Sequence, residues 1–183
     1  MIHTIGHSTR TLDGLVALLR AHGVRAVADV RQYPASRRHP QFARAALETS
    51  LPDAGIAYHW LRALGGRRAA RPDSPHVVWR NLQFRGYADH MDSPEFAAGL
   101  DALLTIAAAA PVAVMCAEAV PWRCHRQLVS DALLARGVAV RHITGPGEAK
   151  PHHLTPGARV DGTRVVYDGG QGVLGGRSGT DLP

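Results

Sequence analysis

The chain contains a single lysine, Lys150, and only two cysteines, Cys116 and Cys124, among its 183 residues. It has no long apolar run. Each scarcity excludes a class of protein. Two cysteines cannot build a disulfide framework, so a secreted, disulfide-stapled scaffold is excluded. No stretch approaches the 18 or so apolar residues that a membrane-spanning helix needs. The longest weakly polar run, Leu103 to Cys116, is interrupted by Pro111. Met1 leads straight into Ile2-His3-Thr4-Ile5-Gly6, without the basic and apolar regions of a secretory leader. A cytoplasmic protein with no membrane partner is therefore expected. Collagen and coiled-coil architectures are excluded, and the sequence has no internal repeat. What is present suffices for one packed domain with a small appendage. Hydrophobic residues make up 45% and charged residues 20%, which rules out wholesale disorder.

Twenty of the 21 basic residues are arginine, and the net charge is +6. The charge is unevenly placed. Residues 31–85 carry ten Arg against Glu48, Asp53 and Asp73, an excess of seven. Arginine forks bind phosphate and carboxylate bidentately, which points to a small anionic ligand. A basic stretch is also what a plain solvated face looks like. Tyr33, Phe42, Tyr58, Trp60, Trp79, Phe84 and Tyr87 are interleaved with these arginines. That composition suits contacts to a nucleic-acid backbone and stacking on its bases, so nucleic acid is an alternative partner through the Arg-rich segment. No helix-turn-helix, zinc-finger or RNA-binding signature accompanies it.

The hydrophobic pattern alternates between strand and helix. Ile2-His3-Thr4-Ile5 is a short β-branched run that ends at Gly6. Leu12, Leu15, Val16 and Leu19 then recur at helical spacing, between Ser8/Thr9/Thr11 and Gly23. Val24 to Val30 reads as a second, buried strand, which completes a β-α-β unit with parallel strands. Further on, Gln41–Thr49 reads as a short helix, Ile56–Trp60 as a strand, and Leu82–His90 as a short helix. A helix opened by Ser93-Pro94-Glu95 ends before Pro111. Val112–Cys116 is an apolar strand, and Pro121 opens a helix that carries Leu128, Leu133 and Leu134. Val138–Ile143 closes the series. The pattern predicts an α/β fold of three layers: a largely parallel sheet with helices on both faces. Residues 1–159 form the domain in this reading. Residues 160–183 add the end of an Arg159–Tyr167 hairpin with an Asp-Gly turn, and then a flexible Gly-rich tail.

Ligands of open α/β sheets bind at the carboxyl ends of the parallel strands. Here those ends carry His7 and Ser8, then Asp29, Arg31 and Tyr33, then Tyr58–Trp60, then the segment from Cys116, then His142 and Thr144. The segment Cys116-Ala117-Glu118-Ala119-Val120-Pro121-Trp122-Arg123-Cys124-His125-Arg126 concentrates both cysteines, a carboxylate, a histidine and two arginines in eleven residues. Cys124, placed in the first turn of a helix beside arginines, and Cys116, facing the same terminus, are candidate thiolates. The two are expected to lie close enough to couple, as a nucleophile with its neighbour or as a reversible disulfide. Glu118 and His7 are candidate acid/base groups, and Asp29 would orient one of them or an arginine. Ser8, Arg31, Tyr87, Arg123, His125 and Arg126 are candidate ligand-binding positions. A metal held by Cys116, Glu118, Cys124 and His125 is the third-ranked reading, because C-x7-C matches no familiar zinc spacing. No cofactor is expected. Cys116 to Arg123 is one residue too long for a Cys-x5-Arg phosphatase loop. There is also no G-x-G-x-x-G after the first strand and no G-x-x-x-x-G-K-[ST] loop.

These segments together resemble the bacterial and archaeal family called domain of unknown function 488. The resemblance is carried by Thr4-Ile5-Gly6-His7-Ser8, by Asp29-Val30-Arg31 with Pro34 and Ser36, and by Leu64-Gly65-Gly66. It continues through Phe84–Met91, Met115-Cys116-Ala117-Glu118, Cys124-His125-Arg126, and His153-Leu154-Thr155-Pro156 with Ala158-Arg159. It implies a single α/β domain. It also implies that His7, Ser8, Asp29, Arg31, Tyr87, Cys116, Glu118, Cys124, His125 and Arg126 are family-like positions. It supplies no substrate. The expected function is therefore a thiol-centred site that binds a phosphate-like or other anionic ligand, as an enzyme of the cysteine-dependent kind. Hydrolysis, transfer and redox chemistry all remain open.

Overall fold

The computed structural model describes residues 1–35 and 38–169. Ser36, Arg37 and the Gly-rich tail from residue 170 onward lie outside the described residues. Among the described residues, five helices surround a six-stranded sheet. In chain order the elements are β1 (Ile2–Gly6), α1 (Leu12–Ala21), β2 (Ala26–Asp29), α2 (Arg44–Asp53), β3 (Ala57–Trp60), α3 (Leu82–His90) and α4 (Pro94–Ala109). Then come β4 (Val112–Cys116), α5 (Arg126–Leu134), β5 (Val140–Ile143), β6 (Lys150–Pro151), β7 (Arg159–Asp161) and β8 (Arg164–Val166). The sheet order is β3-β2-β4-β1-β5-β6, and β7-β8 form a separate hairpin. β1 to β5 are parallel, and β6 is the lone antiparallel edge. Among the described residues no helix is long and apolar enough to cross a membrane.

Alternation along the strands creates two cores. Val27, Ala113 and Met115 turn to the face covered by α1 and α2, against Leu15, Leu19, Leu47 and Leu51. Ala28, Val112, Val114 and Cys116 turn to the face covered by α3, α4 and α5, against Tyr87, Leu100, Leu128 and Leu133. Each such leucine, fully buried, stabilises the fold by about 1.5–3 kcal/mol. The helices start where their caps place them: Thr11, Asn81 and Ser93 each accept a backbone N–H of the first turn of α1, α3 and α4.

The β1-α1-β2 unit is parallel, as the pattern predicts, but β4 lies between its two strands. From β1 the chain crosses over by α1 toward β2. From β4 it crosses by α5, on the opposite face, toward β5. The crossovers thus diverge at the β1/β4 boundary, the kind of switch point that opens a crevice in such sheets. Register places Gly6 beside Cys116 and Asp29 beside Met115 there.

Two local differences from the sequence pattern have physical causes. Pro40–Phe42 closes a 3₁₀ turn, so α2 begins only at Arg44. The two-residue β6 is too short to carry any period. The Arg159–Asp161 and Arg164–Val166 hairpin turns at Gly162 (φ 60°) as the Asp-Gly signal predicts. It also inserts Val165 and Tyr167 into the core under α5.

Candidate functional site

The loop after β4 builds the site. Pro121–Arg123 forms a 3₁₀ turn, and the Cys124 N–H closes it on the Pro121 carbonyl at 2.9 Å. Cys124 is therefore extended (φ −141°, ψ 147°). The first α-helical bond runs from the Val129 N–H to the His125 carbonyl. Cys124 thus stands just ahead of α5 rather than inside its first turn. His125 is the N-cap, and its side chain is used elsewhere.

That side chain joins three elements. His125 Nε2 is 2.9 Å from the Val30 carbonyl, just past β2. A carbonyl only accepts, so Nε2 carries a proton; in the neutral ring Nδ1 then presents its lone pair, and in the imidazolium it donates. Nδ1 lies 3.7 Å from Cys124 Sγ and 3.9 Å from Cys116 Sγ. The three ligand atoms lie within 4.8 Å of one another, so the two sulfurs are neighbours, and this is the one such grouping able to hold a metal ion among the described residues. Both thiols are free. The Arg126 backbone N–H also donates to Cys124 Sγ at 3.5 Å. Burial opposes ionisation of Cys124. The hydrogen bond from Cys116, with His125 and Arg126 close by, overcomes that and holds its thiol well below the ordinary range. Cys116, hydrogen-bonded to Cys124 and desolvated beside it, is pushed well above.

Next to the sulfurs, Asp29 is fully buried and organises its surroundings. Its carboxylate accepts from Arg31 Nε (2.8 Å) and Nη2 (2.5 Å), and from the Tyr58 hydroxyl (2.7 Å). Arg31 Nη1 donates to His7 Nε2 at 3.2 Å, while His7 Nδ1 donates to the Ser8 carbonyl at 3.0 Å. Burial lowers the His7 pKa to about 4, so the ring is neutral at pH 7. Both of its nitrogens are occupied.

Arg126 is a buried brace. Its Nη2 donates to the Glu118 carbonyl at 2.5 Å, and Nη1 reaches the Thr4 hydroxyl at 3.4 Å. From Thr4 a buried chain continues through His142 (2.7 Å), His152 (3.0 Å) and Asp131 (2.8 Å). Tyr167 and Thr155 close it by donating to Asp131. His142 therefore belongs to this internal chain. Sequence reasoning did not find the chain; its one signal is a Ser130-Asp131 pair inside an otherwise apolar stretch of helix.

The sulfurs open onto a cavity of about 520 Å³. Of the expected residues, Cys116, Cys124, His125, Glu118, Arg31, Tyr87 and Arg123 line it. His7, Ser8, Asp29 and Arg126 are not in its wall. Glu118 and Arg123 are exposed. The Tyr87 hydroxyl is used by the Leu64 carbonyl at 2.7 Å. Sequence reasoning missed Gln32, Gly66, Asn81 and Gln83 as wall residues, and did not single out Arg67 or Phe84 for it. The Leu64-Gly65-Gly66 motif was the available signal. A Cβ on Gly66 would lie 2.9 Å from His125 Nδ1, so this position must be glycine for the imidazole to sit as it does.

Of the nine described arginines in residues 31–85, four meet carboxylates: Arg31–Asp29, Arg44–Glu48, Arg68–Glu95 and Arg71–Asp89. Arg67 instead reaches the cavity with a left-handed backbone (φ 62°).

No curated protein and no solved structure matches the chain. A family model does match, over residues 11–133, a span that includes Asp29, Arg31, Gly66, Cys116, Cys124 and His125. The chain belongs to the family described as Domain of unknown function DUF488.

Proposed function

We propose that the protein is an enzyme that holds a small, phosphate-like anion against the Cys116–Cys124–His125 centre and carries out group transfer or hydrolysis there. One observation carries this reading: both sulfurs, the imidazole and three arginines (Arg31, Arg67 and Arg123) line the same cavity. Arg31 is the anchor. Asp29 takes its Nε and Nη2 and His7 takes one Nη1 hydrogen, which leaves two of a guanidinium's five N–H groups for a ligand. Its geometry is fixed beforehand by those partners, so little ordering cost remains when an anion binds. Arg67 and Arg123 at the rim add charge that developing negative charge on a substrate would meet. The amides of Gln32, Asn81 and Gln83 supply uncharged donors around it.

Equilibrium titration of the reduced, chelator-treated protein with inorganic phosphate and pyrophosphate tests this. Saturable binding is expected, and the bound anion should protect Cys116 and Cys124 from iodoacetamide. Arg67→Ala and Arg123→Ala should each weaken binding about tenfold, the equivalent of one charge-assisted hydrogen bond of roughly 1.5 kcal/mol. Neither substitution should move the thermal unfolding midpoint. Absence of both binding and protection would overturn the reading.

A further inference from the structure

We infer that Cys116, Cys124 and His125 are the protein ligands of a divalent transition-metal site of the zinc type, with its fourth position open to the arginine-lined cavity. The inference rests on the reading that these three groups form the reactive centre. It assigns the sulfurs as ligands rather than as attacking groups.

The first argument is distance. Zinc bonds of about 2.3 Å to sulfur and 2.0 Å to nitrogen, at tetrahedral angles, put a sulfur and a nitrogen roughly 3.5 Å apart and two sulfurs roughly 3.8 Å apart. Here Nδ1 stands 3.7 and 3.9 Å from the two sulfurs, and all three atoms fall within 4.8 Å. The second argument is orientation. Metal-bound histidines give their other N–H to a fixed acceptor, which sets the tautomer and aims the ligating nitrogen. The Val30 carbonyl does this for Nε2 at 2.9 Å. Gly66 leaves the Nδ1 side of the ring clear, where a Cβ would crowd it at 2.9 Å.

The third argument is the ligand set. Two cysteines and a histidine form a known three-ligand zinc set, and sites with three protein ligands keep a position for solvent or substrate. Both thiols and the imidazole line the cavity, so that position would face it. Two thiolates and a divalent cation sum to zero charge, a cheaper burial than two bare thiolates. Each thiol that ligates gives its proton to solvent on binding. Glu118 is not in the set: its side chain is exposed, and its carbonyl is taken by Arg126. The spacing C-x7-C-H resembles no zinc finger because the ligands come from a strand end and the residues ahead of the next helix, held together by a carbonyl from a third element.

The test uses the full chain, reduced, freed of metal by chelator and dialysed. It is titrated with Co²⁺ and then Zn²⁺. One equivalent of Co²⁺ should bind, with sulfur-to-cobalt charge-transfer absorption and the intense visible bands of tetrahedral cobalt, and one equivalent of Zn²⁺ should abolish both. Cys116→Ser and Cys124→Ser should each lose the one-to-one binding, and Glu118→Gln should keep it. Should a serine variant fail to fold by circular dichroism, the wild-type cobalt spectrum decides alone. No stoichiometric binding, a weak spectrum without sulfur charge transfer, or binding that survives in a folded Cys116→Ser variant would overturn the inference. The phosphate titration of metal-free protein separates the two proposals. Anion binding without metal binding sinks only this one, and metal binding with no anion binding in either state sinks only the anion reading.

Discussion

Asp29 and His7 show how much of this site depends on single buried groups. Asp29 is fully buried, yet it meets a guanidinium, a phenol and a backbone N–H. Removal of one partner from such a set leaves a charge without compensation. His7 adds a pH dependence. Burial lowers its pKa to about 4; Arg31 and His39 push the same way, while the Ser8 carbonyl and Asp29 oppose. Burial does the same to His142, to about 4, with His152 and Arg126 adding to the effect. The unfolded chain would protonate both rings near pH 6.5. Between pH 6.5 and 4 the unfolded state thus binds more protons, and stability must fall as the pH falls. The contribution of these two rings is complete above about pH 6.5. Urea midpoints measured from pH 7.5 to 4.5 should drop across that window, and His7→Asn should shrink the drop. A flat profile would show that neither ring is held neutral by the fold. The sequence made these residues visible as polar side chains at strand ends. It could not show that His7 is committed at both nitrogens, because that depends on β1 and β2 being separated by β4.

At the scale of elements, the centre exists because β1 presses against the loop that follows β4. Gly6 permits it. A Cβ at that position would lie 1.8 Å from the Glu118 carbonyl oxygen, the atom to which Arg126 donates. Neither side can yield cheaply, since both atoms are backbone or braced by it. Gly6→Ala should therefore destabilise the protein by at least the roughly 1–3 kcal/mol typical of overpacking. It should also displace Cys116 from His125. Denaturant unfolding with thiol counting by a chromogenic disulfide reads both effects. An alanine variant with wild-type midpoint and wild-type thiol reactivity would show that the contact is not needed. The helices and parallel strands were legible because their apolar periods run for several turns or pleats. Leu82–His90 and Val112–Cys116 match their expected bounds. β6 was not legible, and neither was the extended Cys124. A two-residue strand has no period, and Pro121 suits the start of a 3₁₀ turn as well as that of an α-helix. The metal grouping was legible only as a third-ranked reading that also included Glu118. Its ligand atoms converge only once the loop has folded onto Val30.

For the molecule as a whole, the question is what the net charge of +6 is for. Read as a line of text, the excess in residues 31–85 suits a nucleic-acid strand. Folded, it is dispersed. Four of its nine described arginines meet carboxylates, and Arg85 donates to the Trp79 carbonyl. The aromatic residues are engaged as well. Phe42 and Tyr87 are fully buried, Trp79 stacks on Phe84 at 5.0 Å, and Arg44 lies 4.3 Å over Trp60. Tyr33, at 63% exposure, is the one ring of the seven that stands open, and it lies at the cavity. A base-stacking platform needs several such rings in a row. This arrangement favours the proposed small anion at the cavity over a polymer. Duplex DNA should accordingly bind weakly, through about two phosphates, with log K falling less than roughly 2 units per decade of salt. Anisotropy titrations on random duplex and single strand at several salt concentrations measure that slope. Arg67→Glu with Arg123→Glu should remove what binding there is, since those two arginines flank the cavity. A slope equivalent to four to six phosphates, unchanged by the double substitution, would show instead that the exposed Arg38, Arg62 and Arg80 join into a binding track. The small-anion reading of the charge would then give way to a nucleic-acid one.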